Sequence, residues 1–115
     1  AVAGTRGAEI VDELKPDKGD FRVLKRKYSA FQGTDLDQLL RELEVDTVVL
    51  TGVVTDICIQ HTAADAFFRG YKIIVPKDCV EAVDQRTQEA AIKFLRKAYG
   101  PEITTSKELM KKKWT

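Results

Sequence analysis

Apolar, β-branched side chains run almost unbroken over residues 45–50 and again over 71–75, the pattern of strands buried on both faces of a parallel sheet. Residues 57–69, between them, repeat apolar positions at helical spacing and close at Gly70. Residues 87–99 form an amphipathic pattern with Ala91, Phe94, Leu95 and Ala98 on one face, stopped by Gly100-Pro101. Leu36, Leu39, Leu40 and Leu43 predict an earlier helix, which Thr34 or Asp35 is placed to cap. Upstream the pattern gives a loop at 4–7, a short helix over 8–14 ended by Pro16 and Gly19, and a strand over 21–24. A short strand over 102–104 and a last helix from Ser106 complete the chain. Strands alternating with helices across short loops predict the α/β class: a three-layer, Rossmann-like parallel sheet with helices on both faces and right-handed crossovers.

Bulk properties narrow the picture without changing it. The 115 residues suit one domain with a single core, and neither an internal repeat nor a domain-sized linker interrupts residues 1–115. Nineteen basic residues against eighteen acidic leave a net charge of +1, so charge offers no case for a nucleic-acid partner. No apolar stretch approaches the roughly 20 residues that span a bilayer, and no signal-like segment opens the chain. Two cysteines are too few for a disulfide framework, so the expected setting is a reducing cytoplasm with both thiols free.

The candidate chemistry gathers where the first apolar run ends. In Gly52-Val53-Val54-Thr55-Asp56-Ile57-Cys58, a strand stops at a glycine and a thiol falls in the first turn of a helix. Unpaired main-chain N–H groups and the positive end of the helix dipole favour an anionic sulfur there, and the same N–H groups can hold an oxyanion. A buried, inert thiol is the competing reading. The carboxyl ends of parallel strands are also where open α/β sheets bind ligands.

Lys25, at the end of the 21–24 strand, would reach the same sheet edge, where it could favour the thiolate or orient a carboxylate. A solvated basic edge is its alternative, with Lys27 as positional rival. His61 is the single histidine, so neither a zinc site nor a Ser-His-Asp triad can form within the chain. Its spacing from Cys58 points both along one helix, favouring a structural or interface role. Asp56 and Thr55 are candidate helix caps; Asp65 and Asp78 read as structural, and Cys79 as a packed small residue. Phe31 and Ile57 fit either pocket lining or core. Phosphate-loop and dinucleotide glycine patterns are absent.

Gly52-Val53-Val54-Thr55-Asp56-Ile57-Cys58-Ile59, then Thr62-Ala63-Ala64-Asp65-Ala66, Gly70-Tyr71 and Asp78 resemble the core of the isochorismatase-like cysteine hydrolases. That superfamily includes nicotinamidases and N-carbamoylsarcosine amidases. Lys25-Arg26-Lys27-Tyr28-Ser29-Ala30-Phe31, with Gly33-Thr34-Asp35-Leu36, resembles its catalytic-lysine segment, and Gly4-Thr5-Arg6-Gly7-Ala8-Glu9-Ile10 its preceding loop and helix. The resemblance implies an Asp-Lys-Cys triad, with Cys58 as nucleophile and Lys25 as the triad lysine. It further implies a cis peptide between Val53 and Val54, aiming the N–H groups of Val54 and Cys58 at the substrate oxyanion.

No residue before Lys25 matches the triad aspartate, since Asp12, Asp17 and Asp20 fall in the wrong element. The chain is therefore expected to be the C-terminal part of such a domain, lacking the strand that carries the aspartate. It requires no cofactor of its own. Any divalent metal, zinc in nicotinamidases, would be bound by the missing region. A second copy or that region should cover the exposed sheet edge, making a homo-oligomer the expected assembly.

The leading expectation is thiolate-dependent hydrolysis of a small-molecule amide through a thioester. One alternative keeps the fold but cleaves a vinyl ether, as true isochorismatases do, typically without this cysteine. The other is a catalytically incomplete α/β oligomerisation module.

Overall fold

The computed structural model describes residues 1–113. Three parallel strands, β1 (Thr47–Val49), β3 (Lys72–Pro76) and β5 (Glu102–Thr104), form a sheet in the order β1-β3-β5. Val48 pairs in register with Ile73, and Val75 with Ile103. Beyond their carboxyl ends, β2 (Gly52–Val53) and β4 (Val80–Glu81) form a second parallel pair, Gly52 opposite Val80 and Val53 opposite Glu81. The apolar runs alone did not reveal this extension, because each of its strands is only two residues long.

Helix α2 (Gln60–Phe68) connects the first strands to β3, and α3 (Gln85–Tyr99) connects β4 to β5. Strand side chains alternate, so Val48, Ile73, Val75 and Ile103 share one face. That face packs on Ala63 and Ala66 of α2 and Leu95 of α3, with Phe31, Ile59, Tyr71 and Val80 completing the core. Leu36 and Leu40 of α1 (Leu36–Glu42) join from the side. Asp37 of α1 accepts a 2.6 Å hydrogen bond from the Tyr71 hydroxyl, whose pKa is pushed up by burial and by that carboxylate. Helix α4 (Ser106–Lys111) follows β5, and Lys112, just past its end, reaches Glu102 at 2.7 Å. Parallel strands alternate with helices, as the pattern of the chain predicts.

Local signals explain most element ends. The Asp84 carboxylate accepts from the Thr87 amide at 2.7 Å, which starts α3 at Gln85, two residues before the apolar pattern begins. At the end of α2, Gly70 takes φ +84° and Tyr71 N–H returns to Ala66 C=O at 3.0 Å, the paired closure a left-handed glycine allows. Asp35 makes no capping bond with its side chain; Thr34 accepts from the Leu36 amide at 3.3 Å instead.

Three expectations are corrected. The helix over 8–14 is replaced by two single 3-10 turns, Arg6–Ala8 and Asp12–Leu14, because Ile10, Val11 and Leu14 meet no apolar surface and stay exposed. Residues 21–24 are not a strand: a ladder needs a neighbour, none is present among the described residues, and Phe21 and Leu24 are 63% and 83% exposed. Strand β1 is not buried on both faces, since Val49 is 43% exposed and β3 is its single partner among the described residues.

Candidate active site

The strand-to-helix turn is a π-turn, Thr55–Ile59, in which Ile59 N–H reaches back five residues to Val54 C=O at 3.2 Å. It leads straight into α2 and holds Cys58 beyond the carboxyl ends of β1 and β2. The peptide between Val53 and Val54 is cis, as the motif implies. Cys58 is half-buried and free, as is Cys79.

The Lys25 ammonium lies 4.0 Å from the Cys58 sulfur. Both line a cleft of about 320 Å³ with Leu50, Gly52, Val53 and Thr62. Residues 33 positions apart thus meet although the lysine segment forms no strand. What holds it is α2. Thr62 accepts the Ala30 amide at 3.0 Å, and one turn later Asp65 accepts from the Gln32 side chain at 3.1 Å. Arg69 pairs with Asp65 at 3.2 Å and lies 4.9 Å over the Phe31 ring. Burial alone would raise the Asp65 pKa, but hydrogen bonds from Ser29 and Gln32 and the Arg69 charge outweigh it and hold the carboxyl below its ordinary value. Asp65 is therefore structural in the sense expected, anchoring the turn that follows the lysine.

Neither Thr55 nor Asp56 caps the turn with its side chain. Thr55 is fully buried and donates instead to the Gln88 side chain of α3 at 2.5 Å. Asp56 Oδ1 is buried without a hydrogen-bond partner among the described residues. His61 Nδ1 lies 2.7 Å from the Ile57 carbonyl, which can only accept, so that nitrogen carries the proton. The ring stands 5.5 Å from Tyr28. This is a helix-face contact, consistent with a structural histidine.

Phe31 lines no part of the cleft; it is buried in the core, 5.9 Å from the Tyr71 ring. Ile57 is likewise absent from the cleft walls, where its neighbour Ile59 stands instead. Asp78 accepts from the Ser106 hydroxyl and amide, which hold its carboxyl below the usual range and tie the β3–β4 turn to α4. Cys79 Sγ contacts Asp78 at 3.8 Å and does not line the Cys58 cleft. Sequence reasoning missed Gln88 and Arg69, since a glutamine or arginine on a helix gives no local sign of a partner in another element.

Among the described residues, no group of three or more His, Cys, Asp or Glu side chains converges as a metal site requires. Nor is any helix among the described residues long and apolar enough to cross a membrane.

A family model described as Isochorismatase domain matches residues 1–108. An uncharacterized isochorismatase family protein of Bacillus subtilis (strain 168), YaaI, is 36% identical over 107 residues, covering 93% of this chain and 59% of that protein. The structure of an isochorismatase-like hydrolase from Alkaliphilus metalliredigens matches with a TM-score of 0.89 at 36% identity, over 96% of this chain and 60% of that one. N-carbamoylsarcosine amidase from Thermoplasma acidophilum matches with a TM-score of 0.81 at 43% identity, over 90% and 58% respectively. The chain thus spans between 58% and 60% of the length of each of these relatives. From the matched family model, the parallel fold and the Gly-Val-Val-Thr-Asp-Ile-Cys turn together, the chain belongs to the isochorismatase family.

Proposed function

We propose that the protein is a cysteine hydrolase of a small amide, with Cys58 as nucleophile and Lys25 as its charged partner. The observation that carries this reading is the 4.0 Å approach of the Lys25 ammonium to the Cys58 sulfur, inside a cleft at the carboxyl edge of the sheet. The Cys58 thiolate attacks the amide carbon, and the oxyanion is received by the N–H groups of Val54 and Cys58. Collapse expels ammonia or an amine and leaves a thioester on Cys58. Water then hydrolyses the thioester and restores the thiol.

The thiol proton must be passed to the departing nitrogen, and a proton of the attacking water returned to the sulfur, so both halves of the cycle need a base. The family resemblance assigns it to an aspartate on a strand preceding the residues described here. An N-carbamoyl amine, as in the Thermoplasma relative's name, or nicotinamide are the substrate types this reading favours. A free thiol nucleophile fits the reducing cytoplasm. The same reading has the aspartate-bearing strand, or a second copy, cover the open edge of β1.

The test is ammonia release from N-carbamoylsarcosine and nicotinamide by the full-length protein and its Cys58→Ala variant. Loss of turnover by at least about a thousand-fold is expected, in keeping with removal of a covalent nucleophile. Equal rates would refute the assignment.

A further inference from the structure

We infer that Gln88 is a positioning residue for the oxyanion-binding turn, acting through Thr55 and β4 without touching substrate; this rests on the hydrolase reading above. Gln88 lies in the first turns of α3, and its amide is engaged at both ends. Its oxygen accepts from the Thr55 hydroxyl at 2.5 Å, and its nitrogen donates to the Val80 carbonyl at 3.1 Å and, more weakly, to the Lys77 carbonyl at 3.4 Å.

These contacts bracket the Val54 peptide and fix the start of the turn that carries Cys58. Thr55 follows Val54 directly and opens the π-turn that carries Cys58. Val80 is the register partner of Gly52, two residues before Val54. One side chain therefore fixes the turn from its helix side and from its sheet side. Along the chain the Val54 N–H lies between Gly52 and Thr55, and the Cys58 N–H follows three residues after Thr55 in the turn that Thr55 opens.

The chemistry restricts what can replace it. A glutamate at 88 can accept from Thr55 but cannot, when ionised, donate to two carbonyl oxygens. A leucine keeps the volume and loses every contact. Because Thr55 is fully buried, its hydroxyl has no water to turn to when Gln88 is removed. The Lys25 segment hangs from α2 through Thr62 and Asp65, so the sulfur and the ammonium stay together when this brace is cut.

The experiment measures kcat and KM for N-carbamoylsarcosine and nicotinamide, together with the rate of Cys58 alkylation by iodoacetamide, in the full-length protein. Gln88→Leu and Thr55→Val are each expected to lower kcat about 100-fold, the loss typical of a misplaced reacting geometry or oxyanion donor. KM should stay within about two-fold and alkylation should be retained. The double variant should be no worse than Gln88→Leu alone, because that substitution already removes the Thr55 contact. Thr55→Ser, which keeps the hydroxyl, should restore activity. Gln85→Leu, whose amide meets Glu89 on the exposed face, is the control with unchanged constants.

Additive losses in the double variant, or a kcat for Gln88→Leu within about three-fold of wild type, overturn the proposal while leaving Cys58 chemistry intact. A fall in alkylation parallel to kcat also overturns it, since the brace would then be holding the whole site together. If Gln88→Leu does not fold, Thr55→Val reads the same contact. Turnover that is absent from the wild type, or survives in Cys58→Ala, sinks the hydrolase reading and takes this inference with it.

Discussion

Asp65→Asn tests whether α2 holds the lysine segment through charge. The carboxylate accepts from Gln32 at 3.1 Å and pairs with Arg69 at 3.2 Å, and its side chain is 17% exposed. Asparagine keeps the shape, removes the charge and turns an amide donor toward one of those donors. A charge-assisted hydrogen bond lost from a buried position costs about 1.5–3 kcal/mol, and partial exposure of the pair brings the expectation to about 1–2 kcal/mol. The pH dependence is signed. The folded-state pKa of Asp65 lies below the ordinary value, so its contribution is fully present above the unfolded-state pKa and is lost as pH falls through the folded one. Urea unfolding of the full-length wild type and variant at pH 7, 5.5, 4 and 3 reads it directly. The stability gap should be constant between pH 7 and 5.5 and close below about pH 4. A gap under about 0.3 kcal/mol at pH 7, or one unchanged at pH 3, would show that the network carries no net charge-dependent stabilisation.

Other perturbations reach different links. Lys25→Met should slow Cys58 alkylation at neutral pH by about five-fold, the effect of a unit charge 4 Å away in a water-like medium, and an unchanged rate would remove the lysine from the chemistry. Leu95→Ala, at a fully buried position, should cost about 2–5 kcal/mol by urea unfolding, and a loss under about 1 kcal/mol would mean that this part of the core is loosely packed. Gly100 ends α3 at φ +58°, so Gly100→Ala should destabilise by about 1 kcal/mol, whereas a stabilised variant would contradict the left-handed closure.

The legible parts of the fold were those whose signal is local or doubly supported. Strand β3 was readable because Ile73, Ile74, Val75 and Pro76 are all buried, and α3 because an amphipathic stripe is closed by Gly100-Pro101. The 21–24 and 8–14 readings failed for one reason: strands and short helices are stabilised by what they pack on, and Phe21, Leu24 and Leu14 find nothing among the described residues. The candidate nucleophile was legible because strand, glycine and thiol lie within one short motif. Its surroundings were not. Thr55 looked like a cap because threonine before a helix usually is one; its partner, Gln88, is 33 residues away and is brought there only by the βαβ crossover. Phe31 could have been pocket or core, and only the stacking on Tyr71 decides for core.

Helix α2 begins just after the thiol, and one and two turns further on it grips the residues that follow the lysine. Sulfur and ammonium are thus suspended from a single rod. Rocking of that rod against the sheet moves the two as one body, so their spacing is insulated from breathing elsewhere. Changes in the loops that shape the cleft can retune which molecules enter without detuning the pair.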